Sequence, residues 1–244
     1  MASKNTKLSK AAAERVRGYS AKTAEVVNLK QVRRSDNIRA IVAGVVSLLL
    51  AFGGQLLYTA LHSNELPTSL PPISVAESRD WSGSMNVDNL PVTFTLNGKL
   101  APQGVANFVA LAKANYYNDF ANSCHRVTTE GLFVLQCGDP QGDGSGGPGY
   151  SWGPIENAPS SGLYPAGTIA MARQSGNGSS MGSQFFFVYK DTMLPADSAG
   201  GYTVLGRIDT GLVNLEKIAA RGTADGSKDG RPKTEIKLSA VNVK

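Results

Sequence analysis

The feature that most constrains this chain is an uncharged apolar run over residues 40–61, AIVAGVVSLLLAFGGQLLYTAL. A helix rises about 1.5 Å per residue, so a run of this length can cross a hydrocarbon core about 30 Å thick. We therefore predict one transmembrane helix over 40–61. Two alternatives stay open. One is a cleaved signal peptide, whose apolar region is usually only about 7–15 residues long, and the other is a buried helix of a soluble protein.

Charge is distributed unevenly around this run. Residues 1–39 contain ten Lys or Arg and three acidic residues, whereas the rest of the chain contains 14 basic and 16 acidic residues. Because positive charge stays on the cytoplasmic side, we expect a basic cytoplasmic tail over 1–39. The C-terminal part would then lie outside the cytoplasm, in a single-pass, signal-anchored protein of the cell membrane. The nearly neutral remainder argues against a nucleic-acid partner.

The segment after the run separates it from a folded domain. Three prolines among Ser and Thr predict a semi-extended linker over 62–72, and the folded domain is expected over 73–244. Gln55 lies within the apolar run, and an amide in lipid seeks a polar partner. It is a weak indication of contact with a membrane protein complex, and a solitary amide near the outer end of the span is the preferred interpretation.

Residue patterns in the expected domain predict many strands and two helices. The expected strands are VTFTL (92–96), LFVLQCG (132–138), SQFFFVYK (183–190), YTVLGRI (202–208) and TEIKLSAVNV (234–243), and the expected helices are 105–117 and 211–220. Many strands with two helices favour a β-barrel or sandwich capped by helices. Residues 138–182 hold 12 of the 27 glycines, and we expect them to form functional loops.

Three motif matches in the chain fail on their context. Gly142, Gly144 and Gly147 have the spacing of a dinucleotide fingerprint, but no helical pattern follows them. Ser180 lies in a G-x-S-x-G match, but no histidine follows it to complete a hydrolase triad. The two histidines and two cysteines lack zinc-binding spacing, so we predict no metal.

Five sequence blocks follow one another along 90–244. The blocks are CHR (124–126), FVLQCGDP (133–140), GTIAMAR (167–173), GSQFFFVY (182–189) and YTVLGRIDTGLVNLEKI (202–218). Together they resemble the cyclophilin family of peptidyl-prolyl cis–trans isomerases, in a membrane-anchored bacterial form. The resemblance implies a mainly β fold with two helices, a closed antiparallel eight-stranded barrel with a groove on its outer face, and activity without a metal or cofactor.

The resemblance also implies the roles of individual side chains. Arg126 would donate toward the prolyl nitrogen, Phe133 and Phe186 would be pocket aromatics, and Gln136 would bind the substrate carbonyl. A glutamine in an apolar strand is costly unless it is hydrogen-bonded, which marks Gln136 independently. The other expected substrate-binding residues are Val134, Ala172, Gln184, Leu194 and Tyr202.

The chain departs from the family pattern in three places. Arg126 and Gln136 are two residues further apart than usual, with the insertion in TTEGL (128–132). The usual pocket tryptophan is absent, and either Met193 or Leu194 occupies that region. Tyr202 matches the usual pocket histidine.

Two cysteines fall on strands that the family barrel places side by side. In an oxidising compartment Cys124 and Cys137 would form a disulfide. The alternative is a pair of small buried thiols.

The expected function is isomerisation of X–Pro bonds in exported or membrane proteins, which assists their folding. The expected partners are proline-containing polypeptides and the lipid bilayer. The alternative is a non-catalytic module that binds proline-containing segments, or an accessory subunit of a membrane complex.

Overall fold

The chain divides into two compact units, residues 1–62 and residues 63–244, which we describe separately. The structure is a computed structural model and describes residues 2–62, 66–118, 120 and 123–244. Within the first unit it describes the side chains of residues 12–30, 32–34 and 36–54, so the side chain of Gln55 lies outside the described residues.

The first unit is one continuous helix, α1 (Ala2–His62). It passes without a break from the basic segment into the apolar run, since residues 2–62 contain no proline. Among the described residues it is the one helix that is long and apolar enough to cross a membrane. Its apolar window lies within Ala12–Gly54, has a mean hydropathy of 1.7 and is not buried. The same length and composition fit a membrane anchor and a signal sequence.

The second unit is mainly β. Its strands are β1 (Asp80–Val87), β2 (Leu90–Asn97), β3 (Cys124–Thr128), β4 (Val134–Cys137), β5 (Leu163–Tyr164), β6 (Thr168–Met171), β7 (Phe185–Val188), β8 (Thr192–Met193), β9 (Val204–Thr210), β10 (Asp229–Gly230) and β11 (Leu238–Val243). Its helices are α2 (Pro102–Lys113) and α3 (Leu212–Ala219), with single 3₁₀ turns at Ile73–Ala76 and Tyr116–Asn118.

Nine of these strands form one antiparallel sheet, in the order β10-β3-β4-β7-β6-β9-β2-β1-β11, and β5 pairs with β8. The expected closed eight-stranded barrel is therefore wrong: the sheet is an open half-barrel, and no ladder joins β10 to β11 within the described residues. Its two ends approach where the Cys124 N–H donates to the carbonyl oxygen of Ile236, 3.1 Å away, just before β11. One backbone bond does not make a ladder, and the short strand β10 occupies the edge of β3 instead.

The two helices and the inner face of the sheet enclose an aromatic core. Helix α2 begins with Pro102 at its first turn and packs against β2 and β11, whereas α3 packs against β2. The ring of Phe108 on α2 lies 5.9 Å from that of Phe94 and 5.3 Å from that of Phe185. This packing fixes the inner face of the sheet and leaves part of its outer face open to a ligand.

Candidate active site

A row of paired residues crosses four neighbouring strands. Arg126 on β3 is opposite Gln136 on β4, Gln136 is opposite Phe186 on β7, and Phe186 is opposite Ala170 on β6. Directly opposite residues of antiparallel strands point to the same side of a sheet. The row therefore places a guanidinium, an amide and an apolar surface side by side on one face.

A bulge in β3 determines the direction of Arg126. Cys124 is opposite Cys137 and Arg126 is opposite Gln136, so two steps along β3 match one step along β4. Without the extra residue Cys124 and Arg126 would point to the same side. With it, Cys124 is buried and joined to Cys137 by a disulfide (S–S 2.02 Å), while the Arg126 side chain is 41% exposed on the outer face.

Hydrogen bonds connect the guanidinium to a glycine-rich loop. Arg126 Nη1 donates to Gln136 Oε1 (3.4 Å), and Gln136 Nε2 donates to Gln184 Oε1 (2.8 Å). Gln184 Nε2 in turn donates to the carbonyl oxygens of Gly144 and Gly146, each at 2.9 Å. Because arginine only donates and a backbone carbonyl only accepts, the side-chain amides of Gln136 and Gln184 can satisfy this series of hydrogen bonds in only one orientation each.

An apolar cluster, the pocket cluster, adjoins this row. Its buried members are Val134, Tyr164, Ala170, Phe186, Val188 and Leu194, and Leu132, Ala172, Tyr202 and Val204 pack against it half-buried. The Phe186 ring meets the Tyr202 ring edge-on, with centroids 5.5 Å apart. Leu194 is 6% exposed and Met193 is 58% exposed, so Leu194 is the residue of that pair that reaches the cluster.

Phe133 does not join the other candidate residues. Successive residues of a strand face opposite sides, so Val134 and Gln136 face the site while Phe133 and Leu135 face the main core. The Phe133 ring packs against Tyr189 (5.9 Å between centroids) and lies under the Lys190 ammonium at 4.7 Å. Leu132 occupies the place beside the pocket cluster that the resemblance gave to Phe133. The connection between β3 and β4 runs over residues 129–133 and places Leu132, rather than Phe133, beside the pocket cluster.

Two acidic residues near the site carry no sequence signal that marks them. Asp197 pairs with Arg173, whose side chain is fully buried, and the Arg173 guanidinium lies 4.6 Å from the centre of the Tyr202 ring. Hydrogen bonds from Arg173 hold the pKa of Asp197 well below its usual range. Asp229 on β10 accepts two hydrogen bonds from Arg126, which lower the pKa of Asp229 and raise that of Arg126.

Comparison with known proteins agrees with this geometry. Residues 84–243 match the family model of cyclophilin-type peptidyl-prolyl cis-trans isomerases. A probable peptidyl-prolyl cis-trans isomerase B of Mycobacterium tuberculosis is 38% identical over 194 residues, which cover 74% of this chain and 57% of the relative. The chain therefore belongs to the cyclophilin-type peptidyl-prolyl cis-trans isomerase family, and it spans a little over half the length of that curated relative.

Solved structures share the fold. A cyclophilin-type isomerase of Cryptosporidium parvum has a TM-score of 0.56 at 23% identity, covering 68% of this chain and 98% of its own. The structure of the same protein in the presence of the dipeptide Ala-Pro has a TM-score of 0.55 at 25% identity, covering 67% and 98%.

Proposed function

We propose that this protein accelerates cis–trans rotation about X–Pro peptide bonds. The observation that carries the proposal is the row of Arg126, Gln136 and Phe186 beside the pocket cluster, which sets a charged donor next to an apolar surface. Membership of the cyclophilin family supports it, as does the C. parvum relative studied with Ala-Pro.

The chemistry requires neither a nucleophile nor a cofactor. Amide resonance creates a rotational barrier of about 18–20 kcal/mol, and uncatalysed X–Pro exchange takes tens to hundreds of seconds. A donor that localises the lone pair on the prolyl nitrogen weakens this resonance. Arg126 is suited to that task because a guanidinium stays charged at any working pH and presents planar donors.

The neighbouring residues would hold the twisted peptide. Gln136 Nε2 carries two hydrogens and gives one to Gln184, so the other is available for the substrate carbonyl. The proline ring would be enclosed by Phe186, Val134, Leu194 and Tyr202. The adjoining groove would be lined by Ala172 and Gln184. Binding the twisted state better than either planar isomer lowers the barrier.

We further propose that the enzyme is anchored in a bacterial cell membrane. Residues 1–39 would be a cytoplasmic tail, 40–61 the span and 62–72 a linker, with the isomerase domain over 73–244 outside the cytoplasm. The uncharged run and the basic lead support this arrangement. Exported or membrane polypeptides that contain proline would then be its substrates. The anchored domain would bind them as they emerge unfolded on the outer side of the membrane.

The activity is tested by exchange NMR on a short X–Pro peptide with the full-length chain in mild detergent. Wild type should accelerate exchange, and Arg126→Ala should lose about 100-fold in kcat/KM, the scale of losing one preorganised donor. Arg207→Ala is the matched control, because Arg207 lies on β9 with its side chain 78% exposed, and it should leave the rate unchanged. A folded wild type that binds the peptide without accelerating exchange would leave a non-catalytic proline-binding module as the function.

The membrane arrangement has its own test. Protease added to intact spheroplasts should remove an epitope placed at the C-terminus and spare one placed at the N-terminus. Protection of both epitopes would contradict the proposed orientation, and release of a soluble, shortened chain would identify residues 40–61 as a cleaved signal.

A further inference from the structure

Arg126 has a second and stronger partner than Gln136. Its Nε donates to Asp229 Oδ1 at 2.7 Å and its Nη2 donates to Asp229 Oδ2 at 2.6 Å, whereas Nη1 lies 3.4 Å from Gln136 Oε1. Two parallel bonds of this kind fix the plane of a guanidinium as well as its position. The pair thus leaves one edge of Arg126, the edge that carries Nη1, turned toward the row.

The fold places Asp229 by backbone register. Asp229 on β10 is opposite Thr128 on β3, two residues along from Arg126, and the Thr129 N–H donates to the carbonyl oxygen of Lys228 at 2.8 Å. The Ser227 hydroxyl donates to the carbonyl oxygen of Asp229 at 2.9 Å. The carboxylate is therefore held by a strand pairing that contributes little else to the sheet, since β10 has only two residues.

The electrostatic setting indicates what this pairing does. The side chains of Arg126 and Asp229 are 41% and 50% exposed, and ion pairs this exposed contribute little to stability. The neighbouring charged residue Lys228 is engaged elsewhere, because it pairs with Glu130. What the Asp229 pair does supply is a fixed direction for a long side chain that would otherwise sample many rotamers.

We propose that Asp229 is a positioning residue for isomerisation, which holds the Arg126 guanidinium with its Nη1 edge toward the prolyl nitrogen. This inference rests on the proposed function, because it assigns Arg126 its orientation in that reaction. Asp229 itself does not touch the peptide.

The test compares Asp229→Ala with Glu130→Ala in the full-length chain in detergent. Both changes remove one exposed carboxylate from neighbouring segments, but Glu130 bonds to Lys228 rather than to Arg126. Asp229→Ala should lower kcat/KM by about tenfold, because small misplacements of a catalytic group are costly, while Glu130→Ala leaves it unchanged. Asp229→Asn, which keeps an acceptor, should recover part of the loss. Equal or higher kcat/KM in Asp229→Ala would overturn the inference.

A double-mutant cycle separates positioning from a general structural effect. In the Arg126→Ala background, Asp229→Ala should cause no further loss of kcat/KM, since no guanidinium remains to be positioned. A second tenfold loss there would overturn the inference, because Asp229 would then act on something other than Arg126.

The NMR signal of the Arg126 Nε–H reports the contact with Asp229 whether or not the protein is an active isomerase. In ¹⁵N spectra the Arg126 Nε–H should give a slowly exchanging signal that Asp229→Ala broadens and Glu130→Ala leaves intact. An inactive wild type that shows this pattern would refute the isomerase and leave the contact established. An Arg126 signal indifferent to Asp229→Ala would refute the positioning whether or not the wild type is active.

Discussion

Two adjacent phenylalanines on β7 provide a direct test of how the sheet divides stability from activity. Phe187 is fully buried in the main core, and Phe186 is 5% exposed in the pocket cluster on the opposite side. Truncating either residue to alanine removes the same atoms from the same strand. Any difference between the two variants therefore reports which face the ring occupies.

The expected losses differ because only one of the two cavities is sealed. Phe187→Ala leaves a closed void, so the transfer and cavity contributions add, and the free energy of unfolding should fall by about 3–5 kcal/mol. Phe186→Ala opens its space toward the groove, where solvent can enter. The transfer contribution then dominates, and the loss should be about 1.5–3 kcal/mol. The effect on activity should be the opposite: Phe186→Ala should lose more activity than Phe187→Ala, because Phe186 would contact the proline ring.

The measurements are urea unfolding followed by tryptophan fluorescence and X–Pro exchange below the unfolding transition. Phe187→Ala should keep most of its kcat/KM in the fraction that remains folded. Phe186→Ala should lose at least tenfold in kcat/KM, which corresponds to about 1.4 kcal/mol of transition-state stabilisation. If Phe187→Ala lost the activity and Phe186→Ala kept it, the assignment of the two faces would be refuted.

Three further predictions concern the surroundings of the site. Cys124 and Cys137 close a loop with a sequence separation of 13, so replacing both with alanine should lower the free energy of unfolding by about 3 kcal/mol, measured in urea; two labelled thiols per denatured, unreduced chain would show that the bridge is absent. Burial lowers the pKa of His125 below its ordinary 6.5, so the folded state binds fewer protons and stability should fall as pH drops below about 6.5; His125→Phe should flatten that slope, and an unchanged slope would assign it to other groups. Arg173→Met removes the cation beside the Tyr202 ring, so KM for an X–Pro peptide should rise more than kcat falls, and an unaltered KM would exclude Arg173 from shaping the pocket.

Strong local patterns predicted the elements that carry most of the site. The apolar run before Cys137 and the aromatic run around Phe186 gave β4 and β7, and the amphipathic segments gave α2 and α3. Strand β1 is absent from the expected strands although Trp81, Met85 and Val87 alternate with polar residues in DWSGSMNV; Gly83 interrupts the apolar face and weakens the pattern. The dipeptide Asp88-Asn89 was an available signal, since both residues adopt positive φ in the tight turn between β1 and β2, as a two-residue hairpin turn requires.

Side-chain direction at loop junctions was harder to predict than the strands themselves. Phe133 lies directly before β4, at the end of the loop in which the resemblance implies a two-residue insertion, and no local pattern shows whether it or Leu132 turns toward the pocket cluster. The sequence does not decide between Met193 and Leu194 for the same reason. The direction of Arg126 depends on a bulge whose existence is visible only in the pairing of β3 with β4.

The origin of each site residue indicates where the site can change without loss of the fold. Arg126, Gln136 and Phe186 are held by the register of three paired strands, and a shift of one residue in that register would turn them to the other face. Leu194 and Tyr202 come instead from the segment between β8 and β9, and hydrogen bonds between the Tyr202 backbone and the Tyr164 hydroxyl hold its end. Loops tolerate insertion and substitution far better than paired strands do. Binding of the proline ring should therefore depend on the β8–β9 segment, and exchanging that segment with that of a relative should alter KM for X–Pro peptides while leaving the Arg126-dependent step in place.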